Sequence, residues 1–205
     1  MTPEDFTPLW SAQRGADSPL KLLGVRGALQ PSGKPNSDAV YDDLIFVIDE
    51  TANRVTAWLA SVDPSLPLIQ HPINPAGCAQ LAPGVHFFAR GIHKGNSAWP
   101  CLVQAEAFTV YRLAKDGSIN GKETGDFGIH LHSGGAGSST KNFSAGCQII
   151  HNVDGYFRNP TWGNFIQPIF TAMKAAGVAS IPYLLLNAST FNLSLPTKLE
   201  NPVVP

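Results

Sequence analysis

The stretch between His132 and Cys147 constrains the fold of this chain more than any other feature. Its residues are almost all Gly, Ser, Thr, Ala and Asn, which make poor core material, yet apolar segments typical of strands flank it at 127–132 and 147–151. We therefore predict two strands joined by a loop that carries a histidine back beside a cysteine. A histidine beside a cysteine that follows a glycine is the arrangement that a thiolate nucleophile requires.

The rest of the chain predicts a mostly antiparallel β fold. Nineteen glycines and 17 prolines favour a protein rich in turns and strands over a helical one. Short β-branched or alternating apolar runs, bounded by turn residues, predict the other strands. These lie at 21–29, 44–49, 54–61, 84–90, 102–113 and 181–186.

One helix is predicted, over 159–177. Six apolar residues recur there at the spacing of a single helical face, and Pro168 inside the segment predicts a kink. The face consists of Trp162, Phe165, Ile166, Ile169, Phe170 and Met173. Residues 1–20 are polar and proline-rich, which predicts an extended N-terminal arm. A single domain is expected over 21–190, followed by a C-terminal tail over 191–205.

Composition argues against several classes of protein. Charged residues are 14% of the chain and the net charge is −1, so we expect neither nucleic acid nor a membrane surface as partner. No apolar run approaches the length of a transmembrane helix. The N-terminal residues include acidic side chains and no apolar signal-peptide core, so we expect synthesis in a cytoplasm without a signal peptide.

The three cysteines cannot all pair with one another, because their number is odd. Cys78 and Cys101 are expected to be small core residues, and whether they pair in an oxidising compartment stays open. Three further histidines belong to no recognisable arrangement and are expected to be structural. They are His71, His86 and His93.

A nucleophilic cysteine needs a base for its thiol proton and hydrogen-bond donors for an oxyanion, and the residues around Cys147 could supply both. A neighbouring histidine can take the proton of the thiol, and that histidine needs a partner on its other ring nitrogen. Gly146 permits a tight turn whose backbone N–H groups could bind an oxyanion, and Ser144 could brace that turn. His130 and His132 would share one face of a strand, and His132 lies next to the loop.

Two short motifs resemble the catalytic domain of the L,D-transpeptidases, also called the YkuD domain. They are Leu131-His132-Ser133 and, after the small-residue loop, Ser144-Ala145-Gly146-Cys147. Segments at 23–27, 41–47 and 81–86 are similar to a bacterial and phage-associated subgroup with that core. The resemblance implies a YkuD-like β-sandwich with one kinked helix packed on it.

The resemblance also implies roles for the residues of the motif. Cys147 would be the nucleophile and His132 the general base. The carbonyl of Ser133 would orient the imidazole, and the N–H groups of Gly146 and Cys147 would form the oxyanion hole. Peptidoglycan stem peptides would be the substrate, attacked at an L-to-D bond through a thioester, with no metal or organic cofactor.

Four further residues are expected to contact substrate or to support this pair: His130, Ser144, Gln148 and His151. The chain departs from the family in having Gln148 where many members have Arg or Asn, and Ala145 where a histidine is common. Gln148 leaves cross-linking and hydrolysis both open. Without a signal peptide, we expect the protein to reach the cell wall by lysis, on a phage particle or through a secretion apparatus, and any inhibitor protein is unknown.

Two alternatives remain. His130, His132, Cys147 and His151 are all zinc ligand types and could form a zinc site. The domain could also be a non-catalytic module that binds the cell wall or belongs to a virion. A papain-like enzyme is disfavoured, because its cysteine precedes its histidine.

Overall fold

A computed structural model describes residues 1–30 and 38–201 of the chain. Residues 31–37, inside the predicted domain, and 202–205, at the end of the predicted tail, lie outside the described residues. Strands dominate, which confirms the prediction of a mainly β protein. The strands are β1 (Leu20–Arg26), β2 (Asp43–Asp49), β3 (Arg54–Ser61), β4 (Cys78–Leu81), β5 (Gly84–Ile92), β6 (Pro100–Gln104), β7 (Phe108–Leu113), β8 (Ile119–Gly125), β9 (His130–Ser133), β10 (Gln148–Ile150) and β11 (Ser180–Asn187).

Eight of these strands close into a barrel, and the other three form a small separate sheet. The barrel order is β1-β11-β5-β6-β9-β10-β3-β2, and the small sheet has the order β4-β7-β8. A closed barrel differs from the predicted sandwich. Two pairings in the ring are parallel: β9 with β10, which are consecutive in the sequence, and β1 with β11, which join the two ends of the strand series. Closure leaves the barrel strands without an unpaired edge.

The helices are α1 (Thr7–Trp10), α2 (Leu66–Gln70) and α3 (Thr161–Ala175), with 3-10 turns at Pro3–Phe6, His93–Gly95 and Ala188–Thr190. The apolar face predicted for α3 is buried in the main core, apart from Phe170, which packs at its margin. Pro168 lies inside α3 without ending it. No helix in the described residues combines the length and apolar character needed to cross a bilayer.

The ends of the chain pack against the barrel. The prediction of an extended arm over 1–20 is wrong, because residues 3–10 form two helical turns. Phe6 and Trp10 lie four residues apart, so one face buries both side chains, and the Phe6 ring lies 5.3 Å from that of Phe46. In the predicted tail, Asn201 is buried and its amide pairs with both backbone groups of Leu59, as a neighbouring strand would.

Several other segments differ from the predictions. The strand predicted over 102–113 is divided between β6 in the barrel and β7 in the small sheet. The predicted strands around the small-residue loop are shorter than expected, at β9 and β10. β8 was missed because most of its side chains are polar and exposed, so it has no apolar alternation.

Candidate active site

The pairing of β9 with β10 places three of the predicted site residues, His130, His132 and Cys147, on one face of the barrel wall. Leu131 lies beside Gln148 and His132 beside Ile149 in a parallel register. Leu131 belongs to the main core, so the residues that alternate with it point to the other face. His130 and His132 therefore share that outer face with Cys147, which directly precedes β10.

A tight turn presents Cys147. The Ser144 hydroxyl donates to the Cys147 carbonyl at 2.6 Å and accepts from the Gly146 N–H at 3.1 Å. Gly146 has φ +136, and a Cβ there would lie 2.5 Å from the carbonyl oxygen of Ala79. Only glycine fits this position without a shift of the backbone. Ser144 thus braces the turn, as predicted.

The same hydrogen bond changes the role of Gly146. Its N–H is engaged by Ser144 and is not free to bind an oxyanion in this conformation. Gly146 was expected to donate its N–H to an oxyanion hole, but here its role is to permit the backbone conformation of the turn. Gly146 allows the close approach to Ala79 that holds Cys147 in place.

The sulfur of Cys147 lies against the backbone of the adjoining chain. The His130 N–H donates to Sγ at 3.4 Å, and the Gly128 carbonyl lies 4.0 Å away. Burial raises the pKa of Cys147, and the hydrogen bond from His130 acts in the opposite direction. The side chain is half-buried, so part of it reaches the surface. A thiol in this state needs a base before it can attack.

His132 has the state that a base requires. Its Nδ1 lies 2.8 Å from the Ser133 carbonyl, and a carbonyl only accepts, so Nδ1 carries the proton of the neutral ring. Nε2 then holds a lone pair, and it is buried without a hydrogen-bond partner among the residues that the structure describes. Burial, and next the nearby His93, lower the pKa of His132 to about 3, so the ring is neutral.

The Ser133 side chain fixes the loop that covers His132. Its hydroxyl accepts from the Asn152 side chain at 2.9 Å and from the Phe157 N–H at 2.8 Å. Phe157 then stacks along the His132 ring, with centroids 6.0 Å apart, and Tyr156 meets the ring edge-on at 6.1 Å. Sequence reasoning missed Asn152, because a lone buried asparagine carries no motif.

His93 also lies at the site, although it was expected to be structural. Its ring lies 4.2 Å from that of His132, and its Nδ1 lies 3.0 Å from Nδ1 of His130. Burial, and next His130, lower the pKa of His93 to about 4. His130 Nδ1 also lies 3.8 Å from Cys101 Sγ, and burial lowers the pKa of His130.

Gln148 and His151 face elsewhere. Gln148 is fully buried; it accepts from the Tyr183 hydroxyl at 2.9 Å and donates to the Gly146 carbonyl at 3.3 Å. It supports the turn from the barrel interior and cannot contact a substrate. His151 donates from Nε2 to the Gly137 carbonyl at 3.0 Å and tethers the small-residue loop. The four residues of the predicted zinc site therefore do not converge.

The remaining cysteines are both free thiols. Cys78 lies in the small sheet and its Sγ donates to the Ala145 carbonyl at 3.4 Å, whereas Cys101 lies on β6. Burial raises the pKa of Cys78 to about 11 and that of Cys101 to about 12. Both thiols are thus poor nucleophiles.

A cavity of 470 Å³ adjoins the turn that carries Cys147. Ala145 of the turn, Arg112 of the small sheet, and Asp126 and Phe127 before β9 all line it. A larger cavity, of 980 Å³, lies between β3 and α3 and contains none of the predicted site residues. The lining of the smaller cavity likewise contains none of the predicted site residues, but it includes Ala145, two residues before Cys147, so it is the better candidate for a substrate cleft.

Comparison with protein-family models, curated proteins and solved structures found no match to this chain.

Proposed function

We propose that this protein is a cysteine acyltransferase or peptidase of the L,D-transpeptidase (YkuD) type, which acts on peptidoglycan stem peptides. One observation carries the proposal. The His132 ring is held by the Ser133 carbonyl so that its buried Nε2 keeps a lone pair with no partner among the described residues, on the face that bears Cys147. An imidazole oriented in this way is the usual partner of a nucleophilic thiol.

The chemistry then follows in two halves. His132 Nε2 takes the proton of the Cys147 thiol, and the thiolate attacks a peptide carbonyl. The C–N bond breaks, the amine leaves with the proton held by His132, and a thioester remains on Cys147. An incoming amine or water then loses a proton to His132 and releases the acyl group, giving a cross-link or a shortened peptide.

Before this reaction, Cys147 and His132 must come into hydrogen-bond contact. Cys147 Sγ accepts from the His130 N–H, and no hydrogen bond joins it to His132 Nε2 in the described residues. Hydrogen bonds of this kind often form only when substrate is bound. The Cys147 N–H is the remaining candidate for oxyanion binding, since the Gly146 N–H is engaged.

The cavity beside Ala145 suits a charged peptide. Asp126 lies on it as an exposed carboxylate, and Arg112 lies on it as a buried guanidinium that is paired with Glu123 and the Gly77 carbonyl and lies 5.0 Å from the Phe127 ring. A stem peptide carries a free amine, which Asp126 can pair with. If the protein is delivered by lysis, a phage particle or a secretion apparatus, it would act at the bacterial cell wall.

Incubation with purified disaccharide-tetrapeptide and mass spectrometry of the products tests the proposal. We expect a cross-linked dimer or a tripeptide product, and we expect Cys147→Ala to reduce its formation to background. The thermal unfolding midpoint of Cys147→Ala serves as the control for folding. Undiminished product in Cys147→Ala would refute the mechanism. Wall binding without any product would indicate the non-catalytic module instead.

A further inference from the structure

We propose that His93, Cys101 and His130 form a binding site for Zn²⁺. Each residue offers one ligand atom, a ring nitrogen of each histidine and Sγ of the cysteine, and the three atoms lie within 4.8 Å of one another. This set shares only His130 with the four residues that the sequence suggested for zinc. It does not rest on the proposed function, because neither Cys147 nor His132 is one of its ligands.

The spacing of the three atoms matches a tetrahedral zinc ion. Zinc binds imidazole nitrogen at about 2.0–2.1 Å and thiolate sulfur at about 2.3 Å, which places two nitrogens about 3.3 Å apart and a nitrogen and a sulfur about 3.6 Å apart. The two Nδ1 atoms lie 3.0 Å apart, and Cys101 Sγ lies 3.8 Å from Nδ1 of His130. Hydrogen bonds would also account for both distances, but the His93 ring and the Cys101 thiol would then share the single lone pair of His130 Nδ1.

Rigid elements hold the ligands in place. Cys101 and His130 lie on β6 and β9, which pair in an antiparallel register that aligns Val103 with His130. His93 begins the 3-10 turn between β5 and β6, and its N–H donates to the Trp99 carbonyl at 2.8 Å. Ligands fixed by strands and a closed turn need little rearrangement to bind an ion.

The chemistry of the ligands favours zinc. Two imidazoles and one thiolate are zinc ligand types, whereas Mg²⁺ and Ca²⁺ prefer oxygen. Binding would release the thiol proton of Cys101 to solvent. Three protein ligands leave a fourth position for water, as in zinc sites that are not purely structural.

Cobalt(II) absorption of the full-length protein, after treatment with a chelator, tests the site. We expect one equivalent of Co²⁺ to give the d–d bands of a tetrahedral ion and a thiolate-to-cobalt charge-transfer band, both removed by one equivalent of Zn²⁺. Cys101→Ser should abolish the charge-transfer band, and His130→Gln should weaken Co²⁺ binding at least tenfold. Cys78→Ser and Cys147→Ser are the matched controls and should retain the band.

The following outcomes would contradict the proposed zinc site. Absence of Co²⁺ and Zn²⁺ binding in the wild-type protein overturns it. A band that survives in Cys101→Ser but disappears in Cys147→Ser moves the metal to the residues around the proposed nucleophile. Because Cys101 is fully buried, circular dichroism must show that Cys101→Ser is folded. If it is not, normal Co²⁺ affinity in a folded His130→Gln overturns the proposal equally well.

Discussion

Two clusters of buried polar groups differ in how completely they are satisfied. In the first, which we call the acid cluster, Asp43 accepts from the Gly27 and Val62 N–H groups at 2.6 and 2.7 Å. In the same cluster, Asp63 accepts from Arg26 at 2.8 Å and Gln80 at 2.9 Å. These bonds tie β1, β2 and β4 to the segment after β3.

The second cluster, which we call the histidine cluster, consists of His93, His130 and His132. His132 uses one ring nitrogen and leaves the other buried and unpaired within the described residues. A buried polar atom without a partner costs about 1–3 kcal/mol. The comparison shows that the acid cluster ties barrel strands together through satisfied hydrogen bonds, whereas the unpaired Nε2 of His132 is the atom that the proposed function would use.

The largest effect is expected from His132→Asn. The asparagine amide can still donate to the Ser133 carbonyl, but it offers no equivalent of Nε2. We expect activity on muropeptides to fall by about 10²–10⁴-fold, the usual contribution of a general base. Stability, measured by urea unfolding, should change by only about 1 kcal/mol.

The control for this variant is His71→Asn, which alters an exposed histidine outside the cluster. It should leave both activity and stability unchanged. Equal losses of activity in His130→Asn and His132→Asn would break the comparison, because His130 would then share the role of base.

Asp43→Ala should produce the opposite pattern. Two buried N–H groups lose their acceptor, at about 1–3 kcal/mol each, so we expect a loss of about 3 kcal/mol in the free energy of unfolding. Burial raises the pKa of Asp43, so part of this loss is offset by removal of a poorly solvated carboxyl. The exposed Asp17→Ala is the control and should change stability by less than about 0.5 kcal/mol. An unchanged urea midpoint in Asp43→Ala would contradict the structural role of the acid cluster.

The last prediction concerns the pH dependence of stability. Burial, followed by Asp63 and Asp42, raises the pKa of Asp38 to about 7. The folded protein therefore binds more protons than the unfolded chain between about pH 4 and pH 7, and this carboxyl makes stability fall as pH rises through that range. We expect Asp38→Asn to gain stability relative to wild type as pH rises from 4 to 7. A difference independent of pH, in urea titrations at several pH values, would contradict the raised pKa.

Local pattern predicted the parts of the fold that depend on neighbouring residues. The apolar run before Asp49 and the segment after it form β2 and β3 close to the expected bounds, because alternation and turn residues encode a hairpin. The spacing of Trp162, Phe165 and Ile166 encodes the buried face of α3. Ser144 could likewise be assigned to its turn, since its hydroxyl bonds only to Gly146 and Cys147, within three residues.

Contacts between distant segments could not be predicted. His93 and Cys101 approach His130 only because β5, β6 and β9 are neighbours in the barrel, and no motif joins them in sequence. The barrel itself depends on two parallel pairings that local patterns do not encode. The inward orientation of Gln148 was also hidden, because it depends on Tyr183 as its partner.

Acylation by a carbapenem tests the central claim most directly, because Cys78 and Cys101 act as internal controls for Cys147. Cys78 and Cys101 are buried, whereas Cys147 is half-buried and shares the outer face of the β9–β10 pair with His132. After incubation near neutral pH, intact-mass and peptide-mapping spectra should show one carbapenem adduct, on Cys147, which His132→Asn forms much more slowly. No adduct, or an adduct on Cys78 or Cys101, would contradict the assignment of Cys147 as an activated nucleophile.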